Sequence, residues 1–157
     1  MKISDLFEKW ELCSLKINAK FLEMEFNANP EDQEAAWELY VELITRIVTQ
    51  RLPINDGDEK AALESAYSLF PTTRDILKRK GRKCDSFSKI AVVVLNQVVR
   101  PFCSKWHKLE LQGAFSNEQK CREFRDELSI LQTKMRRYAA MLAEIAQVED
   151  MMYIEDV

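Results

Sequence analysis

The stretch that most constrains the fold runs from Lys89 to His107, KIAVVVLNQVVRPFCSKWH. Between Ile90 and Val99 only Asn96 and Gln97 are polar. A segment that is apolar all round is normally buried all round. The run from Ile90 to Leu95 is rich in residues that favour strands. No second strand-like segment exists to pair with it, so the pattern predicts the innermost helix of a bundle, over 89–111. Pro101 cannot donate a backbone bond to Gln97, which predicts a kink there.

The chain has only 3 glycines and 4 prolines in 157 residues, so turns are scarce and elements must be long. Reading from the start, Ile3, Leu6, Trp10, Cys13, Ile17, Phe21 and Met24 keep a three–four spacing, which predicts one helix from Ser4 or Asp5 to Phe26. Asn29-Pro30 is a helix start, followed by Glu31, Asp32 and Glu34, where the helix dipole favours acids. That second helix is expected to reach Arg51 and to bury Trp37, Tyr40, Val41, Ile44, Ile47 and Val48. A third starts near Asp58, is broken or kinked at Pro71, and ends at Gly81.

After Gly113, Ser116 with Gln119 reads as a capping box opening a long helix over 117–149. Its seam of Cys121, Phe124, Leu128, Leu131, Met135, Tyr138, Leu142 and Ile145 alternates threes and fours without a slip. This is either the longest wall of the bundle or a dimer seam. The expected architecture is therefore all-α: about five helices forming a single domain over 1–150, followed by an acidic and apolar tail over 151–157.

Net charge is −3, too near balance to announce a polyanionic partner or a membrane surface. The start carries no apolar signal core, and no run approaches the ~20 residues needed to span a bilayer. The four cysteines are far apart with no C-x-x-C, as expected for reduced thiols in a cytoplasmic protein. There is no glycine-rich phosphate loop, no G-x-S-x-G and no E-x-x-H pair, so neither cofactor nor metal is expected. The acids near 31–34 and 56–59 are explained as helix starts and a turn.

Two places could carry function. Lys78, Arg79, Lys80, Arg82 and Lys83 put five cations into six residues, able to grip phosphates or simply to meet the negative end of a helix dipole. Arg100 and His107, the only histidine, stand nearly two helical turns apart on one face. Arginine can hold a phosphate and an imidazole can move a proton to or from a ribose oxygen, enough for RNA cleavage without a metal. A bland alternative is that His107 is a packed residue and Arg100 bonds carbonyls freed by Pro101 or a carboxylate of the last helix.

The octapeptide from Arg100 to His107, RPFCSKWH, resembles the signature of HEPN domains, an arginine followed by four to six residues and a histidine. That resemblance implies an all-helical, metal-independent endoribonuclease acting as a dimer, with Arg100 and His107 catalytic. The chain departs from the family at Pro101, where a polar residue is usual. The longer string Leu95-Asn96, Arg100-Pro101-Phe102, Lys105-Trp106-His107 is similar to a motif of small helical modules in prokaryotic anti-phage defence proteins. It implies a bacterial cytoplasmic adaptor or effector working with a protein partner. Three functions are thus in play: a non-enzymatic interaction module docking through the last helix or the tail, a HEPN-like ribonuclease, and a nucleic-acid-binding accessory subunit using Lys78–Lys83.

Overall fold

The computed structural model describes residues 1–155. It contains eight α-helical segments: α1 (Ile3–Lys9), α2 (Ala19–Glu23), α3 (Pro30–Ile44), α4 (Glu59–Tyr67), α5 (Leu69–Lys80), α6 (Asp85–Val94), α7 (Arg100–Leu111) and α8 (Glu118–Ala146). Because α4 runs into α5 and α6 into α7, and α2 is only 5 residues long, these amount to about five main helices, all-α as expected. The one β-type contact among the described residues is an isolated bridge between Lys2 and Glu25.

The long last helix packs most extensively on α3. Its seam from Phe124 to Ile145 is buried inside the chain, so it is the wall of the bundle rather than a free dimer seam. The capping residue is Asn117, one place beyond the expected Ser116: its side chain accepts the Lys120 N–H at 3.0 Å. The helix stops at Ala146, with Gln147 in the left-handed conformation. Beyond it, the Tyr40 hydroxyl donates to Asp150 at 2.8 Å and accepts from the Met151 N–H. The start of the tail at Met151 is therefore tied to α3, while Tyr153 and Ile154 are exposed. Asp156 and Val157, the rest of the expected tail, lie outside the described residues.

Two expected helices are corrected. The stretch 4–26 is not one helix. α1 ends at Lys9, Glu11 takes a positive φ of 55°, and the chain becomes helical again only at Ala19. The physical reason lies across the fold. The Gln97 side chain accepts the Lys16 N–H at 2.8 Å and donates to the Lys16 carbonyl at 2.6 Å. A side-chain amide thus replaces the helical bonds that Lys16 gives up. Similarly, α3 ends at Ile44 rather than Arg51, and its buried face is rotated. Ala35, Ala36, Leu39, Tyr40 and Leu43 are buried, whereas Trp37 is 40% and Val41 36% exposed. The fully buried Ala35 and Ala36, not Trp37, face inward.

The expected central helix is present, but it buries one face. Phe87, Ile90, Ala91, Val94, Val98 and Val99 are inside, while Val92 is 44% exposed beside Ile17 and Phe21. The irregularity expected at Pro101 takes the form of a π turn over Leu95–Val99, in which the Arg100 N–H bonds the Leu95 carbonyl. The wide turn accommodates a ring that has no N–H and would crowd the Gln97 carbonyl in a regular helix. Pro71 falls in the first turn of α5, where its missing N–H costs nothing. Gly81 ends α5 at φ 69°, ψ −159°, a conformation essentially reserved for glycine.

Candidate functional site: an arginine–aromatic face

The acids that opened the second helix are structural. Asp32 is buried; its carboxylate accepts the Asn29 N–H at 3.0 Å and the Phe87 N–H at 2.9 Å, tying the start of α3 to α6. Glu34 pairs with Lys80 at 2.8 Å, and Asp58 caps α4 by accepting the Ala61 N–H at 3.0 Å. Glu59 pairs with Arg125 at 3.3 Å.

The five-cation cluster divides in two. Arg79 meets Asp75 and Glu38, and Lys80 meets Glu34, so these two staple α5 to α3. Hydrogen bonding to Asp75 raises the Arg79 pKa, bonding to Glu34 raises that of Lys80, and bonding to Lys80 lowers that of Glu34. Lys78, Arg82 and Lys83 are exposed and, among the described residues, have no carboxylate partner. One turn before Lys78 stands Arg74, also exposed and likewise without a carboxylate.

Arg74 connects this group to the other candidate. Its guanidinium lies 5.8 Å from the centre of the Phe70 ring, and that of Arg100 lies 4.6 Å from the same ring. Arg100 is further held by its Nε–H to Asn96 Oδ1, at 3.1 Å. No carboxylate pairs with it, neither from the last helix nor from elsewhere among the described residues. Phe70 sits 5.5 Å from Tyr67, and Tyr67 meets the imidazole of His107 edge-on at 5.1 Å. Arg100 and His107 thus share one side of α7, the side facing α4 and α5. Both rest on aromatic residues one turn apart.

This arrangement is chemically specific. Phe70 is buried and fixed, so it is a platform for the two guanidinium groups by cation–π attraction. Their outer edges keep their hydrogen-bond donors for a ligand. Tyr67 is 48% exposed and can stack on a planar group. His107 is half-buried. The larger cavities, beside α3 and α5 and beside α2 and α6, are lined by other residues. Trp106, the neighbour of His107 in sequence, belongs wholly to the core against Phe115 and Phe124. Two of the thiols are poor nucleophiles: burial pushes Cys103 up to about 11 and raises Cys121.

Sequence reasoning found Arg100, His107 and Lys78–Lys83 but missed Arg74, Tyr67 and Phe70. A faint signal was available, since Phe70, Arg74 and Lys78 recur every fourth residue and so share a helix face. No family model matches the chain, and neither a curated protein nor a solved structure matches it.

Proposed function

We propose that the protein is a non-enzymatic interaction module that holds a single-stranded RNA backbone on the face formed by Arg74, Lys78 and Arg100, with Tyr67 available to stack on a base. The observation that carries this reading is the seating of Arg74 and Arg100 on one buried ring, with no carboxylate partner for either among the described residues. In a chain of net charge −3, where the neighbouring Arg79 and Lys80 are paired, unneutralised and positioned guanidinium groups are suited to phosphates.

The test is fluorescence anisotropy with a labelled single-stranded RNA across a salt series from about 50 to 200 mM. Each phosphate contact contributes roughly −0.7 to the slope of log K against log salt. The double variant R74A/R100A should flatten that slope by about 1.4 and weaken binding at every salt concentration. An unchanged slope, or no binding by wild type at the lowest salt, overturns the reading.

A second reading, the metal-independent endoribonuclease, is favoured by one fact: Arg100 and His107 lie on the same side of α7. They stand about 10 Å apart along the helix, so one chain does not close both on a single phosphate, and a second copy must complete the site. This reading requires RNA cleavage in excess chelator that disappears in His107→Ala. A dimeric sample that leaves RNA intact counts against it.

A further inference from the structure

Three separated parts of the chain converge on a cleft of about 260 Å³. α8 contributes Arg136 and Arg137, the turn after α1 contributes Trp10, and the C-terminal segment contributes Asp150 and Tyr153. None of these residues belongs to the RNA-binding face proposed above.

Each wall is held for a reason. The Trp10 indole N–H donates to Glu144 at 2.8 Å, which orients the ring. Tyr153 is 57% exposed, leaving its ring accessible. Arg136 spends its Nε–H on the Thr49 carbonyl at 2.8 Å, which fixes the guanidinium and keeps its terminal N–H groups available. Asp150 uses Oδ1 to accept from Tyr40 and from the Met152 N–H, and Oδ2 has no protein partner among the described residues.

Arg137 is the most informative. It pairs with Glu11 at 2.7 Å. Glu11 takes its left-handed φ of 55° as the residue that closes α1, where the Leu12 N–H bonds the Phe7 carbonyl at 2.8 Å, so its carboxylate is carried to Arg137 by the helix end itself. An ion pair this exposed is weak, so a ligand can displace the carboxylate. The exposed Glu11 carboxylate therefore sits on an arginine that lines the cleft, where an anionic oxygen of a ligand would stand.

We propose that this cleft binds a nucleoside monophosphate, with Glu11 covering the phosphate position on Arg137 until the ligand displaces it. The two aromatic rings suit a planar base. The two guanidinium groups suit a phosphate dianion. The free Asp150 oxygen suits a ribose hydroxyl donor.

Calorimetric titration of the full chain with AMP, adenosine and inorganic phosphate, each alone, tests the idea. AMP should bind at least about tenfold more tightly than either fragment, because only AMP engages rings and arginines together. Arg137→Ala should weaken AMP by about tenfold or more. Glu11→Gln should tighten AMP several-fold, because it removes the competing charge from a side chain that is 69% exposed. R74A/R100A should leave AMP binding unchanged, so failure here is distinguishable from failure of the RNA reading. No heat from AMP, phosphate binding as tight as AMP, or weaker binding by Glu11→Gln would each overturn the proposal.

Discussion

Replacing Asp32 by Asn tests whether one buried carboxylate joins α3 to α6. Asp32 is 1% exposed and accepts two backbone N–H groups, from Asn29 at 3.0 Å and from Phe87 at 2.9 Å. The first completes the reciprocal cap of α3, since Asn29 accepts the Asp32 N–H at 2.8 Å. A hydrogen bond to a charged acceptor contributes about 1.5–3 kcal/mol, and a buried donor left unpaired costs a similar amount. Asn keeps one acceptor oxygen but turns an NH2 group toward the other N–H. Asp32→Asn should therefore lose about 2–3 kcal/mol, and Asp32→Ala about 3–5 kcal/mol. For a chain of this length each kcal/mol moves Tm by about 2–4 °C, so Asp32→Asn should melt about 4–12 °C lower. Urea unfolding at neutral pH gives the free energies, and amide exchange at Phe87 shows which bond was lost. A neutral or stabilised Asp32→Asn would refute the reasoning, because it would mean that the desolvation of the buried charge outweighs the bonds it makes.

Two further outcomes follow from named contacts. The Tyr40 hydroxyl is pushed up to about 12, chiefly by burial; in the unfolded chain it titrates near 10. The folded state thus holds this proton more tightly, so its contribution is intact below about pH 10 and disappears between about pH 10 and 12. Alkaline unfolding of Tyr40→Phe should show a shallower fall over that window than wild type; an identical fall would exclude Tyr40 as a source. Gln97→Ala should cost about 1–2 kcal/mol and expose the Lys16 amide to exchange, while Gln97→Glu, which keeps only the acceptor, should retain protection at the Lys16 N–H. Equal protection of Lys16 in wild type and Gln97→Ala would show that the clamp does not hold the loop.

Much of this protein is legible in the bare chain because local chemistry and burial agree. The seam from Phe124 to Ile145 recurs at helical spacing over a stretch too long to be accidental, and it is buried as its period requires. Asn29-Pro30, Asp58 and Gly81 mark element ends because each answers a local backbone need: an orphan N–H group, or a positive φ. Those needs are settled within a few residues, so a linear reading reaches them.

What only the folded chain decided concerns partners distant in sequence. The 4–26 segment has helical periodicity, yet Gln97 offers Lys16 a substitute for its helical bonds from 81 residues away. Trp37 and Val41 look like core by type, but α3 turns Ala35, Ala36, Leu39, Tyr40 and Leu43 inward instead. The candidate face divides the same way. Arg100, His107 and the basic cluster are visible by residue type and spacing. That Arg79 and Lys80 are neutralised by α3, and that Arg74 and Arg100 meet over Phe70, depends on how α5 lies between α3 and α7. Charge is written in the sequence; whether a charge is left free to act is a property of the neighbours that packing brings to it.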